Sequence, residues 1–146
     1  MVSFDTNVVY PFLNDDSPFR PMLCDLFARL AADDSVVVAE QVLVETYVLL
    51  RNPVATRHPP SSAEAIAAIE TLRSNPHWRI VDVPADGRSV MDEVWRHAAQ
   101  RQFAYRRIHD IRLAKTLLHH GVDTFYTRNR KDFRDAGFAS VIDPFA

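Results

Sequence analysis

Short apolar runs alternate along the chain with longer stretches of helical period. Val2-Ser3-Phe4 is followed by the polar Asp5-Thr6-Asn7, and Thr124-Phe125-Tyr126 by Thr127-Arg128-Asn129. Each reads as a strand, a polar turn, and then a helix or loop. Val36-Val37-Val38 and residues 78–83 predict two further strands, the second stopped by Pro84. Apolar residues recur at three and four over Ala63, Ile66, Ala67, Ile69 and Leu72, and over Val90, Val94 and Ala98, as on one face of a helix. Residues 21–32 predict another helix, in which Cys24 reads as a packed thiol. Residues 41–50 are apolar on most sides, so this helix is expected to be buried until Asn52-Pro53 ends it. The last long helix is expected over 111–120, with Gly121 where a C-terminal cap prefers glycine. Strands alternating with helices predict an α/β fold, a parallel sheet with helices on both faces. The loop 52–61, with Pro53, Pro59 and Pro60, is the one segment expected to be mobile.

With 146 residues, 47% hydrophobic and 25% charged, the chain fits one domain over 1–146. A single cysteine excludes an internal disulfide framework and a cysteine-based zinc site, which fits a reducing cytoplasm. No apolar run approaches the ~18 residues of a membrane-spanning helix, and Asp5 comes too early for a signal peptide, so Met1 reads as the start of the domain.

The net charge of −2 is unevenly divided. Residues 1–95 carry 7 Lys/Arg against 14 Asp/Glu, residues 96–134 carry 10 against 3, and residues 135–146 carry two acids only. Phe103, Tyr105, Phe125 and Tyr126 are interleaved with the basic residues. That stretch is either a polyanion-binding face or a solvated surface balancing an acidic first half.

Four polar residues stand where an apolar pattern leaves little reason for them. Asp5 and Asn129 fall just past predicted strands, where sites form in open parallel sheets. Glu45 has Val42, Val48 and Leu49 at −3, +3 and +4, and Asp110 has Leu113, Ala114 and Leu117 at +3, +4 and +7. A carboxylate on an apolar face needs a compensating charge, and Mg²⁺ or Mn²⁺ shared by oxygen ligands would supply it. The plainer readings are helix N-caps for Asp5 and Asp110, an arginine partner for Glu45, and turn or cap roles for Asn129 and Asp132. His109 offers a different chemistry, as the general acid/base of a metal-free ribonuclease. Three glycines in the whole chain exclude a glycine-rich phosphate loop.

These residues resemble, nearly end to end, the PIN-domain ribonucleases, and among them the VapC-like toxins of type II toxin–antitoxin modules. Residues 2–7 resemble the first acidic motif, 43–53 the second, 107–114 the third, and 127–133 the terminal Thr-x-Asp/Asn motif. The resemblance implies a PIN-like three-layer sandwich with a central, mostly parallel sheet flanked by helices. It implies that Asp5, Glu45 and Asp110 hold Mg²⁺ or Mn²⁺, with Asn129 at the place of a fourth catalytic residue that is acidic in many relatives. Asp132 is a second candidate for that place, or a cap, and Thr6 and Thr127 would orient the carboxylates. Arg107, Arg112, Lys115, Arg128, Arg130 and Lys131 would hold RNA. It further implies an endoribonuclease cutting structured RNA, such as tRNA or rRNA loops, a homodimer, and a cognate VapB-like antitoxin. Two other readings of the residues stand beside it. One is a non-catalytic RNA- or peptide-binding module. The other is a HAD-like phosphatase, from Phe4-Asp5-Thr6-Asn7-Val8.

Overall fold

A computed structural model describes residues 1–146 and contains twelve elements. They run β1 (Val2–Phe4), α1 (Thr6–Leu13), α2 (Arg20–Leu30), β2 (Val37–Ala39), α3 (Glu40–Arg51), α4 (Ser62–Arg73) and β3 (Arg79–Val81). α5 (Arg88–Ala98), α6 (Arg107–His119), β4 (Thr124–Tyr126), α7 (Arg130–Phe133) and β5 (Ser140–Ile142) complete the chain.

All strand pairs are parallel. β1 pairs with β4 in the register Val2 to Thr124, β4 with β5, and β2 with β3. A single bridge, Val2 to Val36, joins the two ladders, so the strand order across the molecule is β3-β2-β1-β4-β5. From β1 the chain steps one way to β2 and β3, then returns to β4 on the other side of β1. Right-handed crossovers then place α1–α4 on one face and α5–α7 on the other. This is the three-layer α/β sandwich expected from the sequence. The order reverses between β1 and β4, and there the strand ends open a crevice.

The core explains the short strands. β1 and β2 are buried at every residue, as a sheet covered on both faces requires. Phe4 lies 4.8 Å from Phe27 and 5.8 Å from both Trp78 and Tyr126, ring to ring, while Phe125 stacks on Phe138 at 4.9 Å. The buried indole of Trp78 donates to Leu30 O at 2.8 Å. α4 starts with a reciprocal capping box between Ser61 and Glu64. α6 closes as the sequence predicts. Val122 N donates to Leu117 O and Gly121 N to Leu118 O around Gly121 at φ +86°, a turn that L side chains resist. That closure feeds the chain directly into β4.

Several expectations are corrected. α6 begins at Arg107, four residues before the predicted start, so Asp110 sits in its first turn and does not cap it. α3 is not buried all round: Val44 and Val48 are 61% and 55% exposed. β5 and α7 carry no clear sequence signal. Within the loop 52–61, whose mobility is a separate matter, Thr56 is buried, donates to Leu49 O at 2.7 Å and meets the Tyr10 hydroxyl at 2.7 Å.

Candidate active site

β1 delivers Asp5 to the crevice. The Asp5 N–H donates to Tyr126 O at 2.9 Å, extending the ladder by one residue. The backbone of Asp5 stays extended while its carboxylate accepts from Thr6 N at 2.8 Å, so Asp5 is the N-cap of α1. The plain reading of this residue is therefore correct as far as it goes. Its second oxygen turns to β4 and accepts from the Thr127 hydroxyl at 2.7 Å. That hydroxyl also accepts from Asn129 N at 3.0 Å and from the Asn7 amide at 3.3 Å, whose oxygen takes the Arg128 N–H at 3.0 Å. The two strand ends are thus joined around one buried carboxylate.

α3 and α6 supply the other two acids. Thr6 donates its hydroxyl to Glu45 at 2.6 Å, a short charge-assisted bond. The other oxygen of Glu45 accepts from Gln41 at 3.1 Å. Gln41 reaches onward, donating to His109 O at 3.2 Å and accepting from Arg112 at 3.1 Å, so it joins the Glu45 helix to the turn that carries Asp110.

The three carboxylates act on one another. Burial, with the charges of Asp110 and Glu45 adding to it, pushes Asp5 up to about 6 despite its bonds from Thr127 and Thr6. Asp110 is also raised, first by its partial burial and then by Asp132 and Glu45, against the opposing pull of Arg107 and His109. No three His, Cys, Asp or Glu side chains close on a common point as metal ligands do.

Asp5, Thr6, Asp110, Arg128 and Asn129 line one open cleft of about 720 Å³, together with Tyr10, Phe19 and Arg57. Glu45 does not line it; it stands behind Thr6, which lines the cleft and donates to one Glu45 oxygen while Gln41 donates to the other. Asn129 is exposed, and the half-buried Asp132 acts on Asp110 through its charge. The exposed His109 ring lies outside the cleft lining and makes no hydrogen bond.

The basic residues divide. Arg107 donates to Asp132 O at 3.4 Å beside Asp110, and Arg112 is spent on Gln41. The side chain of Lys115, only 16% exposed, donates to Ala136 O and pairs with Glu93 at 3.5 Å. Arg130 and Lys131 are exposed on α7.

Sequence reasoning missed Gln41, Tyr10, Phe19 and Arg57. Gln41 had a signal, four residues before Glu45 on the same helical face. The others are brought in by tertiary structure alone.

No family model matches the chain. It is 42% identical over 144 residues to Ribonuclease VapC24 of Mycobacterium tuberculosis, in strains CDC 1551 / Oshkosh and ATCC 25618 / H37Rv, covering 99% of this chain and 97% of that protein. Among solved structures, M. tuberculosis VapC20, described as a sarcin-ricin loop cleaving toxin, is similar with a TM-score of 0.65 at 19% identity, over 94% of this chain and 96% of that one. FitAcB from Neisseria gonorrhoeae is similar with a TM-score of 0.66 at 18% identity, over 99% of both chains. Identity of this extent over nearly the whole chain, on a shared PIN-domain fold, places it: the chain belongs to the VapC family of PIN-domain ribonuclease toxins.

Proposed function

We propose that this chain is an Mg²⁺- or Mn²⁺-dependent endoribonuclease that cuts structured RNA at single-stranded loops, as the toxin of a toxin–antitoxin pair. The observation that carries the reading is the Asp5 carboxylate at the strand-order reversal, bonded by Thr127 and Thr6 N, raised first by its burial and then by the charges of Asp110 and Glu45. Asp5 and Asp110 share the cleft and the charge of Glu45 acts on both, so a cation there would be favoured, and an all-oxygen donor set suits a hard divalent ion.

Asp5, Glu45 and Asp110 would hold the ion, with Asn129 at the rim. When bound, a divalent cation supplies Lewis-acid polarisation of the phosphate and activation of water. The protein's own part is positional. Thr127 and Thr6 N fix both oxygens of Asp5, Thr6 and Gln41 fix both oxygens of Glu45, and Gln41 holds the Asp110 turn through His109 O. Ordering ligands in this way raises metal affinity and activity. The cleft lining includes Arg57 and Arg128, and an unpaired loop is the favoured RNA because its bases can be splayed and stacked.

The VapC name of the relatives supports a small antitoxin as the silencing partner. The HAD-like reading gives way to the family assignment, and Asn7 spends its amide on Thr127 and Arg128.

Cleavage mapping on total RNA, with Mg²⁺ and with EDTA, tests the proposal. Discrete cuts in loops that vanish with EDTA are expected. Cuts indifferent to EDTA, or none at all, contradict it.

A further inference from the structure

Arg128 is held in an unusual way. Its backbone is fixed, because Thr127 before it bonds Asp5 and its own N–H donates to Asn7 at 3.0 Å. Its guanidinium lies 4.9 Å from the centre of the Phe19 ring and 5.0 Å from that of Phe145, two rings that themselves meet edge to face at 5.0 Å. It makes no hydrogen bond or ion pair within the protein. Asp143, two residues from Phe145, spends its carboxylate on the Phe145 N–H at 2.8 Å. Contact with aromatic rings holds a guanidinium without taking up its N–H donors in conventional hydrogen bonds.

We propose that Arg128 grips a backbone phosphate of the RNA at the mouth of the Asp5 cleft, and that Phe19 and Phe145 set its position. This rests on the ribonuclease reading above. The cleft floor is acidic, so an RNA phosphate approaching Asp5 and Asp110 is repelled unless the wall carries cations. Arg128 and Arg57 are the cations of that wall. Of the two, only Arg128 is pre-oriented, which lowers the entropy lost on binding. Phe145 is thereby a positioning residue from the C-terminal segment, acting through the guanidinium. The competing role for Arg128 is a clasp joining that segment to the start of α2. A clasp has no need of free donors beside a cleft.

The test uses a fluorescein-labelled RNA hairpin. Its binding is followed by anisotropy in EDTA across a series of KCl concentrations, and its cleavage is followed in Mg²⁺. Arg128→Ala is expected to reduce the salt slope of log Kd by about 0.7, one single-strand phosphate contact, and to raise KM. Arg128→Lys should keep the slope but not the affinity, because the planar fork is lost. Phe145→Leu should likewise weaken binding at unchanged slope. It also carries the test if Arg128→Ala does not fold. A lower melting temperature with the salt slope and KM unchanged makes Arg128 a clasp and overturns the proposal while the ribonuclease reading stands. A wild-type protein that neither binds nor cuts the hairpin overturns both.

Discussion

The Thr127 hydroxyl donates to the Asp5 carboxylate at 2.7 Å across the β4–β1 boundary, and both residues are buried. This bond opposes the upward push of burial on Asp5. Thr127→Val keeps the shape and removes the donor, leaving a buried carboxylate oxygen short of a partner. The expected cost is about 1–3 kcal/mol of stability, and Asp5 should titrate above its present value near 6. A denaturant melt and an NMR titration of the Asp5 carboxyl check the two parts. Unchanged stability together with an unchanged titration would remove Thr127 from its role.

Asp5 also sets a pH dependence for the metal-free protein. Its carboxyl ionises near 3.8 when unperturbed and near 6 in the fold. Between those values the unfolded chain gives up the proton and the folded one keeps it. The contribution of Asp5 is therefore most favourable below about 4 and is lost as pH rises through about 6, by roughly 3 kcal/mol in all. Melts in EDTA at pH 5 and pH 8 should show a larger fall for wild type than for Asp5→Asn. Equal falls would place the ionisation of Asp5 elsewhere.

Glu45→Gln and Asp110→Asn each remove one negative charge with little change of shape. Both should fold, with melting temperatures in EDTA equal to or slightly above wild type, because a like charge is gone. Cleavage should drop by more than about 100-fold, beyond the usual cost of losing a residue that merely orients a ligand. A clear loss of melting temperature with activity kept would make these acids structural.

Lys115 was expected from sequence to hold RNA, yet its ammonium faces Ala136 O and Glu93. Lys115→Met should lower stability while leaving the salt dependence of RNA binding unchanged. A slope reduced by about 0.7 would restore it to the RNA face.

What could be read in the sequence follows physical reach. β1 and β4 were legible to the residue, since an apolar run ending in a polar cluster is a local signal, and Asp5 and Thr127 came with them. Glu45 was legible because it interrupts an apolar helix, although that helix leaves Val44 and Val48 in solvent. The start of α6 was misplaced because Ile108, three before Ile111, is the one apolar residue ahead of Asp110 in the helix and stands between the polar Arg107 and His109. β5 was missed because its three half-buried residues neither alternate nor form an apolar run. The Phe19–Arg128–Phe145 stack draws on three distant segments, and no spacing rule joins them.

The central claim is that water, prepared among Asp5, Glu45 and Asp110, cuts the RNA, and the chemistry of the new ends tests it most directly. An RNA oligonucleotide with a 2′-deoxy sugar at the scissile position is incubated with the protein in Mg²⁺, and the products are identified by mass. In-line attack by water makes no use of the neighbouring 2′-hydroxyl, so cleavage should persist and leave 5′-phosphate and 3′-hydroxyl ends. A general base such as His109 would turn that hydroxyl into the nucleophile. Loss of cleavage at the deoxy position, with cyclic phosphate on the all-ribose control, would contradict the account and move the chemistry to His109.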